Sequence, residues 1–99
     1  MPYKLVIRKE VFDDIQNAMD WYNSRQKGLG KKFFDAVQQE YKTLRKNPVF
    51  QVRYENVHCL PMKKFPYMIH FIVEEDARKV VVLGVINTNL DSEKWKDRI

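Results

Sequence analysis

One cysteine, two histidines and three glycines among 99 residues set the first limits on this chain. A lone cysteine, Cys59, forms no internal disulfide. Its neighbour His58 would be the base for a nucleophilic thiol. Adjacent strand residues point to opposite faces, however, and Cys59 among Val57, Leu60 and Met62 reads as a small buried thiol. Two histidines and one cysteine without repeated ligand spacing argue against a metal site, and no cofactor is expected. No apolar run is long enough to cross a bilayer. Met1-Pro2-Tyr3-Lys4-Leu5 lacks the apolar centre of a secretion signal, which predicts a cytoplasmic protein. Repeats, low-complexity tracts and linkers are all missing, so one domain over residues 1–99 is expected.

What the chain does have is an ordinary globular balance of apolar and charged residues, with a net charge of +5. The basic excess favours an acidic partner, either nucleic acid or an acidic protein segment.

The apolar periodicity changes once. Tyr3 to Ile7 alternates weakly and reads as a short strand. Val11, Ile15, Ala18, Met19 and Tyr22 recur at helical spacing, with Phe12 on the flank and Asp13 and Asp14 in the first turn. Gly28 and Gly30 interrupt the pattern. A second helix begins at about Lys31, carries Phe33, Phe34, Val37, Tyr41 and Leu44, and stops at Asn47-Pro48. So short a connection predicts an antiparallel helical hairpin. From Val49 the pattern is that of strands. Val52 to Met62 reads as one strand, irregular near Asn56, and Tyr67 to Val73 as the next. After the turn Glu74–Arg78, the almost wholly apolar Val80 to Ile86 reads as a strand covered on both faces. Glu93 to Ile99 forms a short helical tail carrying Trp95 and Arg98. The class is α+β, in the order β-α-α-β-β-β, with the helical hairpin packed on one face of a small sheet.

The segment from Leu60 to Val73 is the most informative. It places Lys63 and Lys64 between Pro61 and Pro66, beside Phe65 and Tyr67, at the mouth of an apolar strand. Cations held rigidly suit a phosphate backbone or an acidic peptide, whereas the plain alternative is a solvated turn. Both faces of the strand that follows carry apolar groups: Met68 and Ile72 alternate with Tyr67, Ile69, Phe71 and Val73. A second apolar face not covered by the hairpin marks an interface, unless the tail covers it through Trp95. Met62, Met68, Ile72, Trp95 and Arg98 are the residues expected to meet a partner.

Taken in order, these segments resemble the RelE/ParE superfamily of toxins from bacterial toxin–antitoxin pairs. The resemblance rests on Asp14-Ile15-Gln16-Asn17-Ala18-Met19-Asp20-Trp21-Tyr22, on Gly28-Leu29-Gly30-Lys31-Lys32-Phe33, and on Leu44-Arg45-Lys46-Asn47-Pro48. It continues through Arg53-Tyr54, Leu60-Pro61, Phe65-Pro66-Tyr67 and Val80 to Ile86, and ends at Glu93-Lys94-Trp95. It implies a twisted, mostly antiparallel sheet with a helical hairpin packed on it. It also implies a toxin of the type II, plasmid-stabilisation kind, neutralised in a hetero-oligomer by a small cognate antitoxin.

The resemblance carries two mechanisms. RelE-like members cut mRNA on the ribosome without a metal, the ribose 2′-OH attacking the adjacent phosphate. Here Lys63 and Lys64 would clamp phosphate and Arg53 would stabilise the developing charge. His58 or His70 would move a proton, Tyr67 would stack or donate, and Asn87 would contact phosphate or base. The chain departs from the nuclease pattern at Met68, where such members commonly carry arginine. It departs again at Asn87 and Thr88, where some carry histidine. ParE-like members instead stall DNA gyrase by contact, which needs no catalytic set. Outside these two stand a decayed toxin that only binds its antitoxin and a non-catalytic nucleic-acid-binding module using Tyr67, His70 and Phe71.

Overall fold

The computed structural model describes residues 3–46, 52–54 and 56–88. The expected elements form in the expected order: β1 (Lys4–Ile7), α1 (Lys9–Arg25), α2 (Leu29–Lys46), β2 (Val52–Tyr54), β3 (Val57–Pro61), β4 (Tyr67–Glu74) and β5 (Lys79–Asn87). Helix α1 buries Val11, Ile15, Ala18 and Tyr22, one stripe at spacings of three and four. It stops where the Gln26 N–H bonds the Tyr22 carbonyl and the backbone leaves helical geometry. Gly28 then takes a φ of +87°, open to glycine and strained for other residues.

Helix α2 begins at Leu29, two residues earlier than its apolar stripe suggests, because Gly30 lies flat against α1. The Asn23 side chain accepts the Gly30 N–H at 2.8 Å, so one of the otherwise unpaired amides of the helix start is satisfied from α1. Phe33, Val37, Tyr41 and Leu44 face inward.

The five strands lie in the order β1-β5-β4-β3-β2. All neighbours are antiparallel except β1, which runs parallel to β5 from Lys4 opposite Lys79 to Ile7 opposite Val82. The fold class read from the sequence therefore holds, with one difference. The stretch from Val52 to Met62 is two strands rather than one. β2 folds back on β3, with Val52 opposite His58 and Tyr54 opposite Val57, through a turn at Asn56. Asparagine turns the chain readily, and the β-formers on either side hide the reversal.

Strands β4 and β5 pair from Tyr67 opposite Asn87 to Glu74 opposite Lys79. The register shifts once: His70 faces Gly84 and Phe71 faces Val82, which leaves Leu83 as an extra residue. Tyr67, Ile69, Phe71 and Val73 thus share the helix-covered face with Val80, Val82 and Val85, and the main core forms there with the α1 and α2 stripes.

The opposite face corrects an expectation. Val57, Cys59, Met68, His70 and Ile86 are buried within this single chain, Met68 at 8% exposure and His70 at 0%. Ile72 is half-buried. Met68 therefore offers a partner almost no surface. Met62 is buried too, but in the helix-side core. The helical tail expected over 93–99, with Trp95 and Arg98, lies outside the described residues.

Candidate functional site

Pro61 ends β3, and the chain crosses to β4 through Met62–Pro66. Backbone bonds fix this crossing. The Met62 N–H donates to the Tyr67 carbonyl and the Tyr67 N–H to the Phe65 carbonyl, each at 2.8 Å. The second bond closes a three-residue turn around Pro66, whose ring already holds φ near the value such a turn needs. The Pro66 carbonyl in turn accepts the Thr88 N–H at 2.8 Å and the Thr88 hydroxyl at 3.2 Å, tying the corner to the end of β5. Lys63 and Lys64 stand exposed on this clamped loop.

An aromatic cluster supports the loop from below. The Phe65 ring lies 5.0 Å from Tyr22 and 5.2 Å from Phe33, and the Tyr67 ring 4.9 Å from Phe33. Tyr22 and Phe33 stack at 5.5 Å. Each such pair adds about 0.5–1.5 kcal/mol beyond the area it buries. Burial, and after it the nearby Tyr67, raise the Tyr22 phenol above its usual range. The Tyr67 ring is thus committed to packing.

Between the loop and α2 lies a cleft of about 800 Å³. Leu29, Ala36, Met62 and Phe65 give it apolar walls, and Lys32, Lys63 and Lys64 bring positive charge to it. Asp35, also on the cleft, is engaged by Lys31 at 2.9 Å. Glu40 belongs to the cleft as well, although only 8% of it is exposed.

The residues singled out by sequence separate into groups. Lys63, Lys64, Tyr67 and Asn87 come together at one end of the sheet, where Tyr67 pairs across strands with Asn87. His70 lies on the other sheet face, fully buried, with Nδ1 3.4 Å from the Cys59 sulfur. Cys59 and His70 sit directly opposite each other on β3 and β4, so the thiol meets this histidine rather than its sequence neighbour. His58 is half-buried and stacks on Phe71 at 5.3 Å. Arg53 belongs to the edge strand β2, whose partners Val57 and His58 lie at the opposite end of β3 from Met62. No group of three potential metal-ligating side chains occurs among the described residues.

Two features escaped the sequence reading. Glu40 falls on the apolar stripe of α2, three residues after Val37 and four before Leu44, a visible signal for an inward carboxylate. Trp21 is half exposed, with the Arg25 guanidinium 4.7 Å above its ring.

No protein-family model matches the chain, and no curated protein matches it. Solved structures do. The chromosomal ParDE toxin–antitoxin system from P. aeruginosa contains a chain superposing with a TM-score of 0.78, at 14% identity over 88% of this chain and 97% of that one. A RelBE toxin–antitoxin complex from Mycobacterium tuberculosis gives 0.61 at 15% identity, over 88% of this chain and 99% of that one. The archaeal RelE–RelB complex from Pyrococcus horikoshii gives 0.59 at 12% identity, over 92% and 100%. At such identities the likeness is one of fold: the architecture described above is shared with chains of these toxin–antitoxin structures.

Proposed function

We propose that the chain is the toxin of a type II toxin–antitoxin pair, held inactive by a cognate antitoxin, and that it acts by contact rather than by cutting RNA. The fold supports the first part. The second part rests on one observation: the exposed end that gathers Lys63, Lys64, Tyr67 and Asn87 contains no histidine, because His70 is buried on the opposite face and His58 is stacked on Phe71. Cleavage by a ribose hydroxyl needs a group that takes its proton and another that returns one, and histidine is the side chain that does both near neutral pH without its pKa being perturbed, where lysine and tyrosine need theirs lowered. Met68 and Asn87, at the positions where nuclease members carry arginine and histidine, fit the same reading. By the resemblance, the target of a contact inhibitor of this fold is DNA gyrase.

Expression without the antitoxin tests both parts. Growth arrest with filamentation and DNA breaks while messages stay intact is the expected result. Arrest with cut messages and rapid loss of protein synthesis would replace gyrase with the ribosome. Normal growth at good expression would defeat the toxin reading.

A further inference from the structure

The α1–α2 turn and the Met62–Pro66 loop meet at one end of the molecule, where Leu29 and Lys32 face Lys63, Lys64 and Phe65. Arg25 at the end of α1, Lys27 in the turn, Lys32, Lys63 and Lys64 are all exposed there. None has an ion-pair partner among the described residues, whereas Lys31 is engaged with Asp35. The chain's net charge is +5, so these five cations equal its whole excess. They are also held in place. The Arg25 guanidinium lies 4.7 Å above the Trp21 ring, and backbone bonds fix the loop of Lys63 and Lys64.

Their placement opposes the local electrostatics. The first turn of α2 carries Lys31 and Lys32 and no acidic residue, although the start of a helix favours negative side chains. The amides of this turn are not what would hold a ligand: the Leu29 N–H donates to the Gln26 carbonyl and the Gly30 N–H to the Asn23 side chain. The attraction comes from side chains on two separate turns, and a polyanion lying across both relieves their mutual repulsion.

The carboxylates of a peptide stand where its sequence puts them. The phosphates of a duplex form a stiff, evenly charged row that reaches both turns at once. Single strands bind through bases stacked on open rings. At this end Phe65 and Tyr67 are packed on Tyr22 and Phe33, and the exposed Trp21 has a guanidinium over it. We propose that this basic end binds the phosphate backbone of double-stranded DNA without reading its sequence, through Arg25, Lys27, Lys32, Lys63 and Lys64. The assignment does not depend on the toxin reading. Within that reading it sets the toxin against the DNA on which its target works.

The test follows a labelled duplex of mixed sequence by fluorescence anisotropy as the full chain is added, across a salt series. Five neutralised phosphates give a slope of log affinity against log salt of roughly −4, the same for unrelated sequences. Lys63→Ala with Lys64→Ala, and Lys27→Ala with Lys32→Ala, should each make that slope shallower by about 2. Lys42→Ala with Arg45→Ala removes the same charge from the far end of α2 and should leave the slope unchanged. Lys32→Glu should weaken binding yet melt at the parent's temperature or above, because an acid suits the helix start; this separates a lost contact from a damaged fold. Equal loss in the Lys42 and Arg45 variant would overturn the assignment, and so would single-stranded DNA held as tightly as the duplex. Displacement of the duplex by polyglutamate of equal charge would overturn it too, and would give the surface to an acidic protein. Each of these results leaves the toxin reading standing, since growth arrest tests that separately.

Discussion

The Asp14 carboxylate on α1 accepts the backbone N–H of Val85 on β5 at 3.1 Å. β1 pairs with β5 only as far as Val82, opposite Ile7, and beyond that point the side of β5 that β1 had covered has no strand beside it among the described residues. Asp14 supplies an acceptor there and fixes helix to sheet. A hydrogen bond to a charged group contributes about 1.5–3 kcal/mol. Asp14→Ala is expected to lose about that much in urea denaturation, and Asp14→Asn, which keeps an acceptor oxygen, less. Equal losses in the two variants would show that the bond contributes little.

Gly30 is irreplaceable for reasons of space. A Cβ at this position would stand 2.7 Å from the Met19 carbonyl oxygen and 2.6 Å from the Asn23 side-chain nitrogen. Gly30→Ala should therefore separate the two helices and cost about 1–3 kcal/mol, outweighing the ~1 kcal/mol that alanine gains inside a helix. A more stable variant would mean that the hairpin yields without strain.

Tyr41 makes stability fall at alkaline pH. Burial, and after it the Asp14 carboxylate, push its phenol far above the usual 10. The folded state keeps this proton at a pH where the unfolded chain has released it. The stabilising difference is thus whole below about pH 10 and disappears as pH rises through the folded value. The hydroxyl is buried and has no hydrogen-bond partner among the described residues. Tyr41→Phe should leave stability unchanged or raised by up to about 1 kcal/mol at neutral pH, and should flatten its decline between about pH 9 and pH 11. Parallel curves for the two proteins would exclude Tyr41 as the source.

Lys63 and Lys64 are expected to serve binding rather than folding. Both are exposed, and the loop that carries them is held by backbone bonds and by the ring of Phe65. Lys63→Ala with Lys64→Ala should change unfolding free energy by less than about 0.5 kcal/mol. Association with an acidic partner should slow and lose part of its dependence on salt, as read by stopped-flow fluorescence. A large fall in stability would return the pair to a structural role.

The helices were legible because each keeps one apolar stripe, and the stripes Val11–Tyr22 and Phe33–Leu44 are the ones buried. The turn at Asn56 was not, since a reversal set among strand formers leaves the alternation intact on both sides. The separation of His70 from Tyr67 was available in principle: three residues along a strand is an odd number, so their side chains oppose. Pairing of Tyr67 with Asn87 needed the third dimension, because no local pattern links the start of one strand to the end of the next. Glu40 was readable from the α2 spacing, but its sharing a cleft with Lys63 and Lys64 needed the positions of both segments in space.

Parallel pairing of β1 with β5 ties folding to synthesis. β1 leaves the ribosome early, yet its sheet partner β5 is the last strand made among the described residues. Until Val80 and Val82 emerge, the inward stripe of α1 lacks the surface it covers, and the nascent chain carries exposed Phe33, Val37 and Leu44. A chain ending at Arg78 should accordingly show no cooperative unfolding by circular dichroism, whereas the full sequence should. The helices of such a chain wait, half covered, for a strand that synthesis delivers more than thirty residues after them.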